Sequence, residues 1–506
     1  MDAPMNKMLL SLDLGTTSVK AGIFTDDGEF LGAASEEYQL YTPSADRAEL
    51  DPNIYWNASV KTIRKVLEKA HESDRICGIA ISSQGETLIT LDKNGEPLRN
   101  AIVWIDNRAE KEAEYLKNTL KNVYDVTGIP DVTATWPAAK ILWIKENEPE
   151  VYAKASHFLL VQDYIVYKLC GKYATNGSVS CTTLYFDIVN NCWWDESLQA
   201  MALDKAVLPE IIDAGVVVGS TTKEANAALG LSESIPVIGG GMDQSACALG
   251  AGTISDGIAS ETTGSALCIQ VVTGKTDLDQ NKTIPVYIHS IPGKYLFVPV
   301  CPTAGMTYKW FKDSFAQSEQ AEAASSGNSI YDLLNEQASE IPAGCDGLTM
   351  LPHLMGAFCP DSHPEFRGSF TGFTIHHKKG HFIRAIQEAV AFMLRQNLER
   401  VMASGAVFSE VRLTGGGAKS PLWNQIKADV CGLPAVILEN EETGLIGDAI
   451  LVGVAAGLFS SIEEGCEKFV AVKARVMPGP DCEKYEEYYQ RYCALESSLG
   501  GYFKKY

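Results

Sequence analysis

The 506-residue chain is 46% hydrophobic and 21% charged, the balance of a globular protein. It is too long for one core, so two large domains are expected. Its net charge of −22 leaves no basic face for a nucleic acid, and no run reaches the roughly 20 apolar residues of a membrane span. Thirteen cysteines, odd in number and without a CxxC pair or a Cys/His cluster, speak against a disulfide framework or a zinc site. They suit a reducing cytoplasm. The N-terminus shows no secretory leader pattern, which also points to a cytoplasmic protein.

In chain order, residues 8–15 read as an apolar strand. Residues 19–25 and 30–35 follow at hairpin distance, with Asp27-Gly28 as the turn. Residues 53–70 read as a helix, 75–83 as a strand and 235–238 as a strand before a helix at 245–249. Residues 317–329, rich in Ala, Ser, Glu and Gln, suggest a surface loop or a frayed helix. Apolar residues at spacings of three and four predict a core helix over 381–403 with an apolar stripe. A strand at 411–413 leads to a helix over 422–431, with Ser420 as N-cap and Pro421 at its first position. Residues 449–459 predict a packed helix. Strands and helices alternate, which makes the class α/β.

A faint repeat runs through the chain. Asp13-Leu-Gly-Thr-Thr-Ser18 and Ser260-Glu-Thr-Thr-Gly-Ser265 each lie between two strands. Two similar domains would bring both turns to one cleft, a common ligand site.

The first turn offers backbone N–H groups and the hydroxyls of Thr16, Thr17 and Ser18 to phosphate oxygens, with Lys20 nearby. Asp13, a carboxylate at the end of a buried strand, suits Mg²⁺ held directly or through water. A plain hairpin with Thr/Ser turn chemistry is the bland alternative. The second motif, Gly239-Gly-Gly-Met-Asp243-Gln244, places a carboxylate before a helix. Asp243 can act there as a general base or as an N-cap, and the residues alone leave these even. Third, Gly415, Gly416, Gly417 and Ala418 precede the helix at Ser420, a nucleotide shelf at a helix N-terminus. Fourth, Gln84, Gly85 and Glu86, with Trp104, Asp106 and Arg108, set polar groups beside an aromatic wall, as polyol recognition needs. Loop-end polarity reads nearly as well. There is no complete P-loop, although Gly274-Lys275-Thr276 carries its tail, and neither GxGxxG nor GxSxG occurs.

Together these motifs resemble the FGGY carbohydrate kinases, which include xylulose, glycerol, gluconate and ribulose kinases. The likeness runs from Leu9 to about Phe469 and includes Gly368-Ser-Phe-Thr-Gly372 as a C-terminal signature. It implies two RNase H-like domains of the actin and hexokinase type with the active site in the cleft between them. Residues 1–254 would bind sugar and carry the base, and 255–506 would bind ATP. Asp243 would be the base, and Asp13 and Asp243 would serve Mg²⁺. The sugar would meet Gln84, Gly85, Glu86, Trp104, Asp106, Asp243 and Gln244. ATP would meet Thr16, Thr17, Ser18 and Lys20 in the first domain. In the second it would meet Thr262, Thr263, Gly264, Gly415, Gly416, Gly417, Ala418, Ser420 and Asn424. Gly85 stands where glycerol kinases carry arginine, and residues 84–86 depart from the Met-His-Gly of xylulose kinases. Removing the arginine side chain would enlarge a triose site, which favours a ketopentose such as D-xylulose over glycerol, erythritol, gluconate or ribulose. The resemblance is compatible with a homodimer and with no nucleic-acid or membrane partner. Two further readings stand beside it: a non-catalytic actin- or Hsp70-type ATP switch, and an acyl-phosphate kinase on the same fold.

Overall fold

The structure, a computed structural model, describes residues 7–70, 75–274, 279 and 281–505; Lys275 and Thr276 of the P-loop-like tail lie outside them. The apolar run Met8–Leu14 forms an interior strand of a six-stranded sheet, with all but Asp13 buried. It pairs antiparallel with Ser18–Thr25, which pairs antiparallel with Phe30–Glu37. Gly28, at φ 95°, makes the turn between them. On the other side Met8–Leu14 pairs parallel with Ile76–Ser83. That strand pairs parallel with Pro236–Met242, and Val217–Ser220 closes the edge antiparallel.

The second sheet, of eight strands, contains this same order of six. Gly257–Thr263 pairs antiparallel with Leu267–Thr273, which pairs antiparallel with Tyr295–Phe297. On its other side follow Phe408–Thr414 and Ala435–Leu438, both parallel, and then Val472–Val476, antiparallel. The short repeat in the sequence is thus a repeat of topology. The α/β, two-domain reading holds.

The domains meet through a pair of helices that follow equivalent strands, Asp243–Gly250 and Thr443–Ala455. A Cβ on Gly250 would lie 1.8 Å from Thr443 O, and one on Gly447 2.2 Å from Ala246 O. Only glycine permits this approach. Thr443–Ala455 also covers the first sheet, with Leu445, Ile446, Ala449 and Ile450 packing around Leu9, Phe24, Ala80 and Ile238. The apolar run that predicts a packed helix therefore forms the domain junction. Its helix ends at Ala455, before Gly457 (φ 69°), so residues 456–459 lie outside it.

Two local expectations change. Residues 317–329 hold a regular helix, Gln317–Ser326, ended by left-handed Gly327. The long helix, Lys379–Ala403, carries more than a stripe, for every residue from Ile383 to Leu394 is buried. Its polar residues are paired inside: Arg384 Nε reaches Glu388 Oε1 at 3.1 Å, and Tyr485 OH donates to Glu388 at 2.9 Å. The C-terminal helix Cys482–Phe503 brings Tyr485 over that face, and periodicity alone does not foresee such a cover. No helix among the described residues is long and apolar enough to cross a membrane.

Candidate active site

Two parallel strands end side by side in the first domain, with Asp13 opposite Ser82 and Leu14 opposite Ser83. Ser82 Oγ lies 3.5 Å from Asp13 Oδ1. The turn that follows is closed by Gly15 N to Ser18 O at 2.9 Å, and Tyr38 donates its hydroxyl to Gly15 O and Ser18 O. Thr17 is exposed, while Thr16 Oγ1 accepts the Trp104 indole N–H at 2.8 Å. Trp104, 38% exposed, is left as an open aromatic wall beside this turn. Lys20 bonds both oxygens of Glu442 from the second domain, at 2.9 and 3.2 Å.

Gln84 and Asp106 sit inside the wall rather than on its face. The Gln84 amide donates to Gly15 O and Tyr55 OH, both at 3.1 Å, and accepts from Thr87 at 3.2 Å. Asp106 is fully buried, and its carboxylate accepts from Ala48 N and from the Arg108 backbone and guanidinium. Arg108 also pairs with Glu49 at 2.7 Å. Gly85 leaves no free volume. A Cβ there would meet Thr182 Oγ1 at 2.9 Å and Met242 Sδ at 3.3 Å, so these side chains fill the space that the sequence suggests is open. Glu86 is half-buried, at φ 54°, a left-handed conformation uncommon for a residue other than glycine. Lys140, fully buried, holds it there by donating to Glu86 O at 2.8 Å and Val103 O at 3.1 Å. Burial pushes the Glu86 carboxyl up and the Lys140 ammonium down, and each opposes the other's shift.

Asp243 is the first helical residue and not the cap; Met242, in extended conformation, takes the cap position because strand Pro236–Met242 runs directly into the helix. The three glycines before Asp243 belong to that strand. A Cβ on Gly240 would strike Ile81 O and Asp448, and one on Gly241 would strike Ser290 and Ser178. Asp243 Oδ1 accepts from Gln244 N at 2.7 Å. Burial, then the carboxylates of Asp13 and Glu86, push the Asp243 carboxyl up to about 7. Burial likewise takes Asp13 to about 6, against the pull of Lys20. Gln244 joins the domains, accepting from Gln270 at 2.7 Å.

In the second domain Thr262 Oγ1 lies 2.8 Å from Thr414 Oγ1, and Gly264 is exposed. Gly415 takes φ 73° beneath Thr263, and Gly417 is pressed against the Thr263 side chain, so these two glycines answer a close approach. Gly416 is exposed, with nothing within 4 Å of where its Cβ would be. Ser420 caps the following helix, accepting from Trp423 N at 3.2 Å, with Pro421 at its first position. Ala418 is half-buried at the mouth of this turn. Asn424 donates to Ala418 O at 2.8 Å, and its own Oδ1 is buried without a partner. The two halves converge, for Gly444 of the second domain lies beside Asp13 Oδ2 and Cys247.

Residues 8–250 match the FGGY family of carbohydrate kinases, N-terminal domain, and residues 261–456 match its C-terminal domain. The chain belongs to the FGGY family of carbohydrate kinases. A xylulose kinase of Staphylococcus epidermidis is 29% identical over 493 residues, 97% of each chain. A gluconokinase of Bacillus licheniformis is 30% identical over 462 residues, 91% of this chain and 90% of that one. A ligand-bound xylulose kinase structure from Lactobacillus acidophilus superimposes with a TM-score of 0.90 at 25% identity, covering 99% of both chains. Membership in this family makes the chain a carbohydrate kinase, with ATP as the family's phosphate donor.

Among the described residues no group of three or more His, Cys, Asp or Glu could hold a bare metal ion. Mg²⁺ that arrives on a nucleotide keeps its waters and phosphate ligands and needs only one or two carboxylates. Asp13 and Asp243 fit that demand, since a cation between them would relieve the repulsion that raises Asp243. This FGGY kinase also holds residues near the site that sequence reading passes over. Lys140 is a lone charge in the apolar run from Pro137 to Ile144, where every residue is buried. Asp448 is fully buried, accepts from Ser82 N and Oγ at 3.1 and 2.7 Å, and leaves Oδ1 unpaired. Its one signal is a lone charge directly before the apolar run 449–459.

Proposed function

We propose that this FGGY kinase transfers the γ-phosphate of MgATP to a hydroxyl of a small neutral ketose, with the ketopentose D-xylulose as the first substrate to test. The observation that carries the reading is Asp243: a carboxylate held by Gln244 N, with its carboxyl raised to about 7, at the junction of the two domains. Such a group accepts a proton from a sugar hydroxyl more readily than a surface aspartate does. The sugar lies on the first domain, residues 1–254, against Trp104 and Glu86, with Gln84, Gly85 and Asp106 shaping the wall and Gln244 beside the base. The nucleotide lies on the second domain, residues 255–506, between Thr262–Gly264 and the turn of Gly415, Gly416, Gly417 and Ala418, near Ser420 and Asn424. Thr16, Thr17, Ser18 and Lys20 approach its phosphates from the first domain. Mg²⁺, which Asp13 and Asp243 would face, supplies neutralisation of phosphate charge.

A neutral sugar is favoured over gluconate. The carboxylates of Asp13 and Glu86 already repel that of Asp243, and the buried ammonium of Lys140 is spent on two carbonyl oxygens. The thirteen cysteines are all free, which supports a place in the cytoplasm.

The test is ADP release with MgATP against D-xylulose, D-ribulose, L-xylulose, L-ribulose, glycerol, erythritol and gluconate, with Asp243→Asn alongside. One ketose stimulating turnover that the variant loses by about a thousandfold supports the reading. Activity that survives in Asp243→Asn removes the base, and gluconate as the best substrate removes the electrostatic argument.

A further inference from the structure

The second domain contains an ion pair to which the phosphate chemistry assigns no task. Glu261 and Lys427, 0% and 1% exposed, meet at 2.6 Å. Glu261 lies near the end of strand Gly257–Thr263, and Lys427 lies on helix Pro421–Cys431, beyond the glycine turn. Thr263 sits between them. Its hydroxyl donates to Glu261 Oε2 at 2.6 Å and accepts from Lys427 Nζ at 2.8 Å. The same threonine bears on the other turn: a Cβ on Gly417 would lie 2.7 Å from Thr263 Cβ, and one on Gly415 2.9 Å from Thr263 O. Lys427 also stands over the Trp423 ring, 5.1 Å from its centre.

Removing two charges from water costs as much as their attraction returns, and apolar residues of similar volume serve stability equally well. Stability alone therefore does not account for the pair. An apolar pair would leave the Thr263 hydroxyl unbound and the contact between the two turns free to slide. The charged pair fixes both.

We propose that Glu261 and Lys427 are positioning residues for the nucleotide: through Thr263 they lock the turn at 262–264 against the turn at 415–417 into one rigid seat. The inference rests on the reading above that ATP lies between these turns. A seat whose two sides are already in register loses less freedom when the nucleotide binds, so the pair acts on ATP affinity and leaves sugar affinity alone.

The test compares Thr263→Val, Thr263→Ser and the double variant Glu261→Gln/Lys427→Met with the wild-type chain. The readouts are KM for ATP, KM for the sugar, and the calorimetric Kd of ADP. Expected are a rise of tenfold or more in KM for ATP and in the ADP Kd for Thr263→Val and the double variant. KM for the sugar stays within twofold, and Thr263→Ser behaves as the wild type. ADP affinity and KM for ATP within twofold of wild type in Thr263→Val overturn the proposal, as do both KM values rising together. Should the double variant fail to fold, Thr263→Val decides. A wild-type chain that binds ADP but phosphorylates no sugar strikes the functional reading, while the ADP measurement still judges this one.

Discussion

Lys20 Nζ in the first domain stands 2.9 Å from Glu442 Oε2 in the second, and both charges act on Asp13. The two side chains are 43% and 34% exposed. A pair so open to water contributes under about 1 kcal/mol to stability. Lys20→Met is therefore expected to leave the urea midpoint nearly unchanged while KM for ATP rises several-fold. A large loss of stability with an unaltered KM would make Lys20 a strut between domains.

The contact of Asp243–Gly250 with Thr443–Ala455 tolerates no side chain at its closest points. Gly250→Ala places a Cβ against Thr443 O, and a backbone oxygen cannot swing aside as a side chain can. The expected cost is about 2 kcal/mol or more, read as a lower urea midpoint. Gly457→Ala, where nothing lies within 4 Å of the Cβ but φ is 69°, is the control for backbone strain alone. Equal losses in both variants would count against the packing account.

Lys140 offers a test at the sugar end. Its ammonium binds two carbonyl oxygens, one of them on the left-handed residue Glu86. Lys140→Met removes both bonds and the counter-charge of Glu86, so the Glu86 side chain loses its fixed direction. KM for the sugar is expected to rise about tenfold with KM for ATP within twofold, in steady-state assays with each substrate varied. Equal changes in both would show a general loss of fold.

His289 makes folding sensitive to acid. It is buried, its Nδ1 accepts from Ile291 N at 3.3 Å, and its Nε2 faces Thr253 O at 3.1 Å. Burial lowers it from 6.5 to about 4. The unfolded chain therefore takes up a proton at a higher pH than the folded one. The stability tied to the neutral ring is complete above pH 6.5 and is lost as pH falls from there towards 4, by up to about 3 kcal/mol. Urea unfolding of the wild type and of His289→Asn at pH 7 and pH 4.5 checks this. The gap between the two chains should narrow at the lower pH, and a gap that stays constant would show the ring to be protonated in the folded state.

Much of the fold is legible in the residues. The runs at 8–15, 19–25 and 30–35 become strands because each is short, apolar and bounded by turn residues. Ser420 and Pro421 mark a helix start through local bonds alone. Glycines and polar side chains are less legible, because their meaning depends on what lies opposite. Gly239-Gly240-Gly241 falls between the expected strand and helix and belongs to the strand, where Asp448, Ser290 and Ser178 from segments distant in sequence leave no room for side chains on Gly240 and Gly241. Gly85 looks like space and is filled by Thr182 and Met242. Gln84 and Asp106 look like hydroxyl readers, yet their polar atoms are engaged inside the wall.

The sequence by itself determined the α/β class, the doubled architecture and the family, because strand periodicity, turn chemistry and short motifs are local properties of a chain. Only the tertiary structure decided which polar groups meet across it. The pairs Glu261 with Lys427, Lys20 with Glu442 and Ser82 with Asp448 join residues between 166 and 422 positions apart. Polar groups so distant in sequence interact only after the tertiary fold has brought them within a few ångströms, and where they are buried an unmet partner is costly.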